Sequence, residues 1–405
     1  MTRKLITLLG KAQKGGDYRE ANYLLDDQTY RTSYFGLALD QHLQSDHLII
    51  LGTSGSMWDN LAQQLGIDAD LALLEAAEQD SVTPALLAPL AQAASDKLGK
   101  PVTCDLIPYG RSEAEQIATI NHILHYYAKG DRAILDVTHG LRHLPMLIQQ
   151  IANLLPTLRC TSIEGIHYGA LDLTRDDATP VLRMDGLQHI SAWQNALAAY
   201  DYSGNSAALV PILNTIGISD ATTRLLAQAS FAEQTHNLRQ YREKIRQFLA
   251  ALKKEPPTPL LGLIQPTLHE RLKLDPKQRD WEHRFHLATQ ALHNGDYLRA
   301  ALYGYEAIFE RILDDNHLQH NDDYETRKNA VLRYIQSRKA DWRDAKSGSR
   351  HSHTLYDKYE KLRQIRNALT HGERGNEYIT ATLNNEDKLR RELADCLDKL
   401  KTLTL

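Results

Sequence analysis

At 405 residues the chain exceeds what one ordinary hydrophobic core organises, and domain sizes of roughly 100–200 residues predict two or three units. Its 42% hydrophobic and 24% charged content supports packed cores and excludes a disordered or fibrous polymer, while a net charge of -4 excludes a whole-molecule field that would drive it onto nucleic acid. No apolar run reaches the roughly 18–20 residues of a membrane span, the amino-terminal stretch lacks a signal-peptide pattern, and Cys104, Cys160 and Cys396 form no CxxC pair. These features predict a cytoplasmic protein, with no membrane association, no disulfide framework and no thiolate zinc site.

Through residue 185 the chain alternates β-type apolar runs with helical patterns, which predicts an α/β doubly wound (Rossmann-like) domain over 1–185. The predicted strands are Lys4–Leu9, a weak one at Tyr23–Leu25, His47–Leu51, Val102–Ile107, Ala133–Val137 and Ile163–Leu171. The clearest helix start is Ser112-Glu113-Ala114-Glu115, a capping-box spacing that opens a periodic run to Tyr127. From Leu187 the β-type runs nearly vanish and apolar residues recur at helical spacing, as at Trp193, Leu197 and Tyr200 and again over Thr222–Leu252. Five prolines between Lys253 and Pro276 interrupt helix continuation. The reading is a helical connector over 186–275 and a final all-α domain over 276–405.

Ligands of open parallel sheets bind beyond the carboxyl ends of the strands, where glycine allows close backbone approach and helix N-termini offer free amides to anions. Three segments qualify: Leu8-Leu9-Gly10-Lys11; Gly52-Thr53-Ser54-Gly55-Ser56, which leads into Trp58; and Asp136-Val137-Thr138-His139-Gly140-Leu141-Arg142-His143, with Pro145 preset for a helix's first turn. Each alone is also what a tight strand-to-helix turn requires. Three together, with Arg142 able to fork onto a phosphate, point to an anionic ligand. The lysine and glycine spacings fit neither a Walker A loop nor GxGxxG, which disfavours an NTPase or a dehydrogenase.

Late in the chain, Arg366-Asn367-Ala368-Leu369-Thr370-His371-Gly372 places a histidine on the last turn of a helix that glycine would end. Arg366 and His371 stand about 140° apart on a continuous helix, whereas Asn367 and His371 share a face. Histidine moves protons near neutral pH and arginine stabilises phosphate charge, so the pair could cleave RNA without metal, the substrate's 2′-hydroxyl acting as nucleophile. The same residues also suit a solvated helix end.

Other features read as structural. His122/His125 and His351/His353 have helical or close spacing but no evident cysteine or carboxylate partner, so no metal site is expected. The basic stretch Lys346–His353 reads as a connector that could also guide RNA. Tyr297, Tyr303, Tyr305 and Phe309 read as core, and Trp58 as packing beneath the ligand loop.

The order of these parts, with the Gly-Thr-Ser-Gly loop, the Asp-Val-Thr-His-Gly-Leu-Arg segment and the terminal Arg366-Asn367-x3-His371, resembles the CARF–HEPN ribonucleases of type III CRISPR systems. The likeness spans nearly the whole chain. It implies a homodimer, or an oligomer built of dimers, whose CARF domains hold cyclic oligoadenylate at Gly10, Gly52, Thr53, Ser54, Gly55, Ser56, Thr138, His139, Gly140 and Arg142. Cyclic tetra-adenylate is implied as the allosteric activator, with no cofactor or metal. The resemblance also implies a composite HEPN site of Arg366, Asn367 and His371 that cuts single-stranded RNA to a 2′,3′-cyclic phosphate, with Glu306 as a neighbour. Two alternatives stand beside this one: a ligand sensor acting as a regulator, and a ring nuclease degrading its own activator with Thr53, Ser54 or His139 at the scissile phosphate.

Overall fold

The computed structural model describes residues 1–11, 19–68, 70–275, 277–315, 323–344, 354–372 and 376–402. The chain divides into two compact units, Met1–Ser191 and Ala192–Leu405.

The first unit follows the order β1 (Arg3–Leu8), β2 (Ala21–Leu25), β3 (Gln28–Thr32), α1 (Phe35–Leu43), β4 (His47–Gly52), α2 (Trp58–Gln64), α3 (Leu71–Glu78), α4 (Pro84–Leu98), β5 (Val102–Leu106), α5 (Glu113–Leu124), β6 (Arg132–Asp136), α6 (Leu144–Arg159), β7 (Ser162–Gly169) and β8 (Thr179–Arg183). The sheet order is β3-β2-β8-β7-β6-β1-β4-β5. Strands β7, β6, β1, β4 and β5 run parallel, β8 pairs antiparallel with β7, and β2 carries β3 as an antiparallel hairpin.

Alternation along each central strand explains why both faces are covered. Leu5, Leu48, Ile50 and Ile134 face one core with α1 to α4, while Ile6, Leu8, Ile49, Leu51 and Leu135 face the other with α5 and α6. All six predicted strands form. β3 and β8 were not foreseen, because Gln28–Thr32 is a largely polar edge strand and β8 carries Pro180, so neither shows an apolar run. At α5 the Ser112 hydroxyl accepts from the Glu115 amide, while the Glu115 carboxylate accepts from the Arg111 amide, one residue before the reciprocal partner of a capping box.

The division between units falls within α7 (Asp185–Ser203). After it come α8 (Val210–Thr215), α9 (Asp220–Gln234), α10 (Leu238–Leu252), α11 (Pro259–Leu272), α12 (Asp280–His293), α13 (Tyr297–Asp315), α14 (Tyr324–Asp344), α15 (Thr354–His371), α16 (Glu377–Leu383) and α17 (Glu386–Thr402). One core joins residues from Trp193 to Leu397. The run Thr222–Leu252 is broken at Thr235–Asn237, where His236 adopts a left-handed φ of 57°. The proline-rich stretch, where helix continuation was expected to be interrupted, instead contains a full helix, α11, with Pro259 in its first turn and Pro266 accommodated inside.

Candidate functional site

Strand β1 lies between β4 and β6, so the chain winds outward from it in both directions and the carboxyl ends of these three strands meet at a topological switch point. The three segments singled out in the sequence sit there. The Gly10 carbonyl accepts from the Met57 amide at 2.9 Å, and the Ser56 hydroxyl donates to the Leu9 carbonyl at 2.9 Å while accepting from the Thr53 amide at 2.8 Å. Trp58, fully buried, donates its indole N–H to the Thr53 carbonyl at 3.0 Å, in accord with a packing role. A Cβ on Gly52 would lie 2.7 Å from that indole. Gly140, at φ 101°, brings the third loop against Leu8.

Not every predicted ligand group faces outward. Thr53 and Ser56 are buried and their hydroxyls hold the turn together, and the Thr138 hydroxyl accepts from the Gly169 amide at 2.7 Å. His139 turns inward: its Nε2 accepts from the Phe35 amide at 3.2 Å beside the Tyr34 ring, which puts its proton on Nδ1, and burial pushes its pKa down to about 4. His143 donates from Nε2 to the Tyr109 carbonyl at 2.7 Å. Arg142 is exposed and has no ion-pair partner among the described residues, and Ser54 is half-buried at the rim.

Beneath the loops lies Asp136, fully buried at the end of β6. It accepts from the Thr7 hydroxyl at 2.6 Å and the Thr138 amide at 2.8 Å; burial raises its pKa to about 6 despite these bonds. A fourth loop, missed in the sequence, completes the cluster. Tyr109 reaches the Ser54 hydroxyl at 3.4 Å, carries Arg111 against its ring at 4.5 Å, and with Asp80 closes over Gly55, while Lys11 pairs with Asp80. Its signal was available as Pro108-Tyr109-Gly110-Arg111, between a strand end and a helix cap.

In the helical unit, Tyr359, Leu362, Ile365 and Ala368 bury one stripe of α15. Arg366 sits on the flank of that stripe, half-buried, with its guanidinium 4.3 Å from the centre of the Tyr305 ring of α13. The Tyr305 and Tyr359 hydroxyls share a 2.8 Å hydrogen bond. Glu306, the next residue on α13, has its pKa raised by burial, against the opposing pull of Arg284, Arg366 and Arg327. Asn367 is half-buried and His371 is exposed on the last turn, which Gly372 ends at φ 64° as expected. Arg366 and His371 make no contact with each other within one chain. Tyr303, Tyr305 and Phe309 are core residues, and Tyr297 bonds Glu386 at 2.6 Å.

His122 does have a carboxylate partner, contrary to the sequence reading: Asp105, 2.8 Å away on β5 and remote in sequence, which also accepts from the Tyr126 hydroxyl. No group of three or more metal-ligating residues occurs among the described residues. The basic stretch Lys346–His353, with His351 and His353, lies outside them.

A doubly wound sheet whose switch point gathers glycine-containing loops and an exposed arginine has the place at which open α/β sheets bind their ligands. Residues 4–172 match the family "CRISPR system endoribonuclease Csx1, CARF domain". The match lies wholly within the first unit, which is a CARF domain, and does not extend into the helical unit. The chain is also similar to the CRISPR-associated protein MJ1674 of Methanocaldococcus jannaschii, 21% identical over 346 residues that cover 78% of this chain and 54% of the relative. The chain thus spans about half the length of that relative. No helix among the described residues is long and apolar enough to cross a membrane.

Proposed function

We propose that this chain is a metal-independent endoribonuclease that cleaves single-stranded RNA when its CARF unit binds a cyclic oligoadenylate, tetra-adenylate by the family resemblance. The observation that carries the reading is the state of α15. Arg366 is held against Tyr305 near the half-buried carboxylate of Glu306, and His371 stands exposed one turn later at a glycine-ended terminus. One helix presents the two in different directions, so a cleft using both is completed by a second copy of the chain, giving a homodimer with two Arg366/Asn367/His371 sets.

In such a cleft His371 takes the proton of the 2′-hydroxyl or returns one to the leaving 5′-oxygen. Arg366 stabilises the extra charge on the phosphorane, and Asn367 orients the phosphate from the face it shares with His371. The products are a 2′,3′-cyclic phosphate and a 5′-hydroxyl. In the CARF unit the exposed Arg142 and the half-buried Ser54 and Gly140 are the groups left to meet the phosphates of a cyclic ligand, Gly10, Gly52 and Gly55 being buried in the turns. The inward hydrogen bonds of Thr53 and His139 support ligand holding over ligand cutting.

The test is cleavage of a quenched fluorescent single-stranded RNA in EDTA with cyclic tetra-adenylate or hexa-adenylate. One ring size should switch on cleavage, and His371→Ala should lower the rate by roughly 10²–10⁴-fold while ligand binding persists. Cleavage absent with both rings, or undiminished in His371→Ala, would overturn the reading.

A further inference from the structure

The polar ground around Arg366 is larger than the Arg366/Asn367/His371 set, and its charges do not balance. Arg284 of α12 pairs with Glu310 of α13 at 3.0 Å. Around the neighbouring Glu306 stand two further guanidiniums, Arg366 and Arg327 of α14, and neither has an ion-pair partner among the described residues. Three arginines against two carboxylates leave one positive charge. The Nε atoms of Arg284, Arg327 and Arg366 and one oxygen of Glu310 are buried without hydrogen-bond partners. Cations so placed are costly unless an anion completes them.

The geometry of α14 shows where that anion would sit. Tyr324 stacks on Phe309 of α13 with ring centres 6.2 Å apart and planes 14° from parallel, yet is still 48% exposed. Arg327 lies one turn further along the same face of α14, and Glu306 one turn back from Phe309 on α13. The two helices therefore run antiparallel, with Arg327 set over the Glu306/Arg366 corner. An exposed aromatic ring thus stands one helical turn from two guanidiniums whose buried Nε atoms lack hydrogen-bond partners.

We propose that Arg327 and Tyr324 extend the RNA site: Arg327 and Arg366 together grip one phosphodiester, and Tyr324 stacks an adjacent base. A single phosphodiester supplies the one negative charge that the cluster lacks, and its oxygens accept the planar forks of both arginines. Glu306 is the positioning residue between the two cations. This assignment rests on the nuclease reading above for its substrate, but its test does not require cleavage.

The experiment is fluorescence anisotropy of a labelled short single-stranded RNA with the 405-residue His371→Ala chain, with and without cyclic tetra-adenylate, across a salt series. Adding Arg327→Ala should weaken binding roughly tenfold and reduce the salt slope by about 0.7, the value for one lost phosphate contact on a single strand. Arg327→Lys should restore the slope but only part of the affinity, because a point charge replaces a fork. Tyr324→Ala should also cost roughly tenfold, with Tyr324→Phe close to the parent. Arg333→Ala, an exposed arginine on the same helix, is the charge control and should leave binding unchanged. If Arg327→Ala binds RNA as the parent does, with the same slope, the proposal is overturned whatever the wild type cleaves. If Arg327-dependent binding appears but the wild type cuts nothing, the nuclease reading fails and the grip stands. If the parent binds no RNA at all, both fall.

Discussion

Asp136 is the residue at which the ligand loops are anchored, and its burial has a measurable cost. With a pKa of about 6 in the fold and the ordinary value of 3.8 when unfolded, the native state holds its proton longer. The stability this group contributes is therefore complete below about pH 3.8 and is lost as pH rises through about 6, by an upper bound of about 3 kcal/mol. Asp136→Asn cannot ionise. Exchange free energies of the β1 and β6 amides should fall between about pH 4 and pH 7 in the wild type and stay flat in the variant; parallel profiles would contradict the assignment. The sequence made this loop legible as a ligand segment through the coincidence of glycines, hydroxyls and Arg142. It could not show that Thr138 and His139 point inward, because their partners Gly169 and Phe35 come from β7 and α1, distant in sequence. Arg327 was hidden for the same reason: nothing local separates it from any other arginine on a charged helix.

Elements were legible where burial imposes a period and obscure where it does not. The strands covered on both faces read directly as apolar runs, and α15 declared its end by Gly372. The edge strand β3 and the interior but proline-bearing β8 carry too few buried positions to betray themselves. Helix α11 was masked by prolines that turned out to suit a first turn and an accommodated interior position. The terminus of α15 gives a test at this scale. A Cβ on Gly372 would meet nothing within 4 Å, so substitution there costs only the left-handed backbone, about 1–2 kcal/mol for a residue other than glycine or asparagine. Gly372→Asn should retain RNA cleavage near the wild-type rate. Gly372→Val should fray the last turn that carries His371 and lower cleavage several-fold, with the Tyr359–Ala368 core intact by hydrogen exchange. Equal rates for both variants would mean that His371 does not depend on the helix end for its position.

At the scale of the whole molecule, the sheet-facing cores and the helical core are built from separate stretches of chain, so each unit has the means to be stable by itself. A ligand confined to the first unit stabilises that unit by mass action, about 2.7 kcal/mol at one hundred times its dissociation constant, without necessarily affecting the second. Activation demands more. If cyclic oligoadenylate raises the affinity of the helical unit for RNA by some factor, linkage requires bound RNA to raise the affinity for the cyclic ligand by the same factor. In the 405-residue His371→Ala chain, which should hold RNA without cutting it, titrating cyclic tetra-adenylate with and without saturating single-stranded RNA measures that factor from one side, and titrating RNA with and without the cyclic ligand measures it from the other. Equal factors, of roughly 5–150-fold for ordinary allosteric coupling, are the expected result. Two independent affinities would leave the CARF unit a sensor whose message is not carried by RNA binding. The cyclic ligand would then have to act on the chemical step alone, and His371→Ala, which removes that step, would show no coupling by any equilibrium measurement.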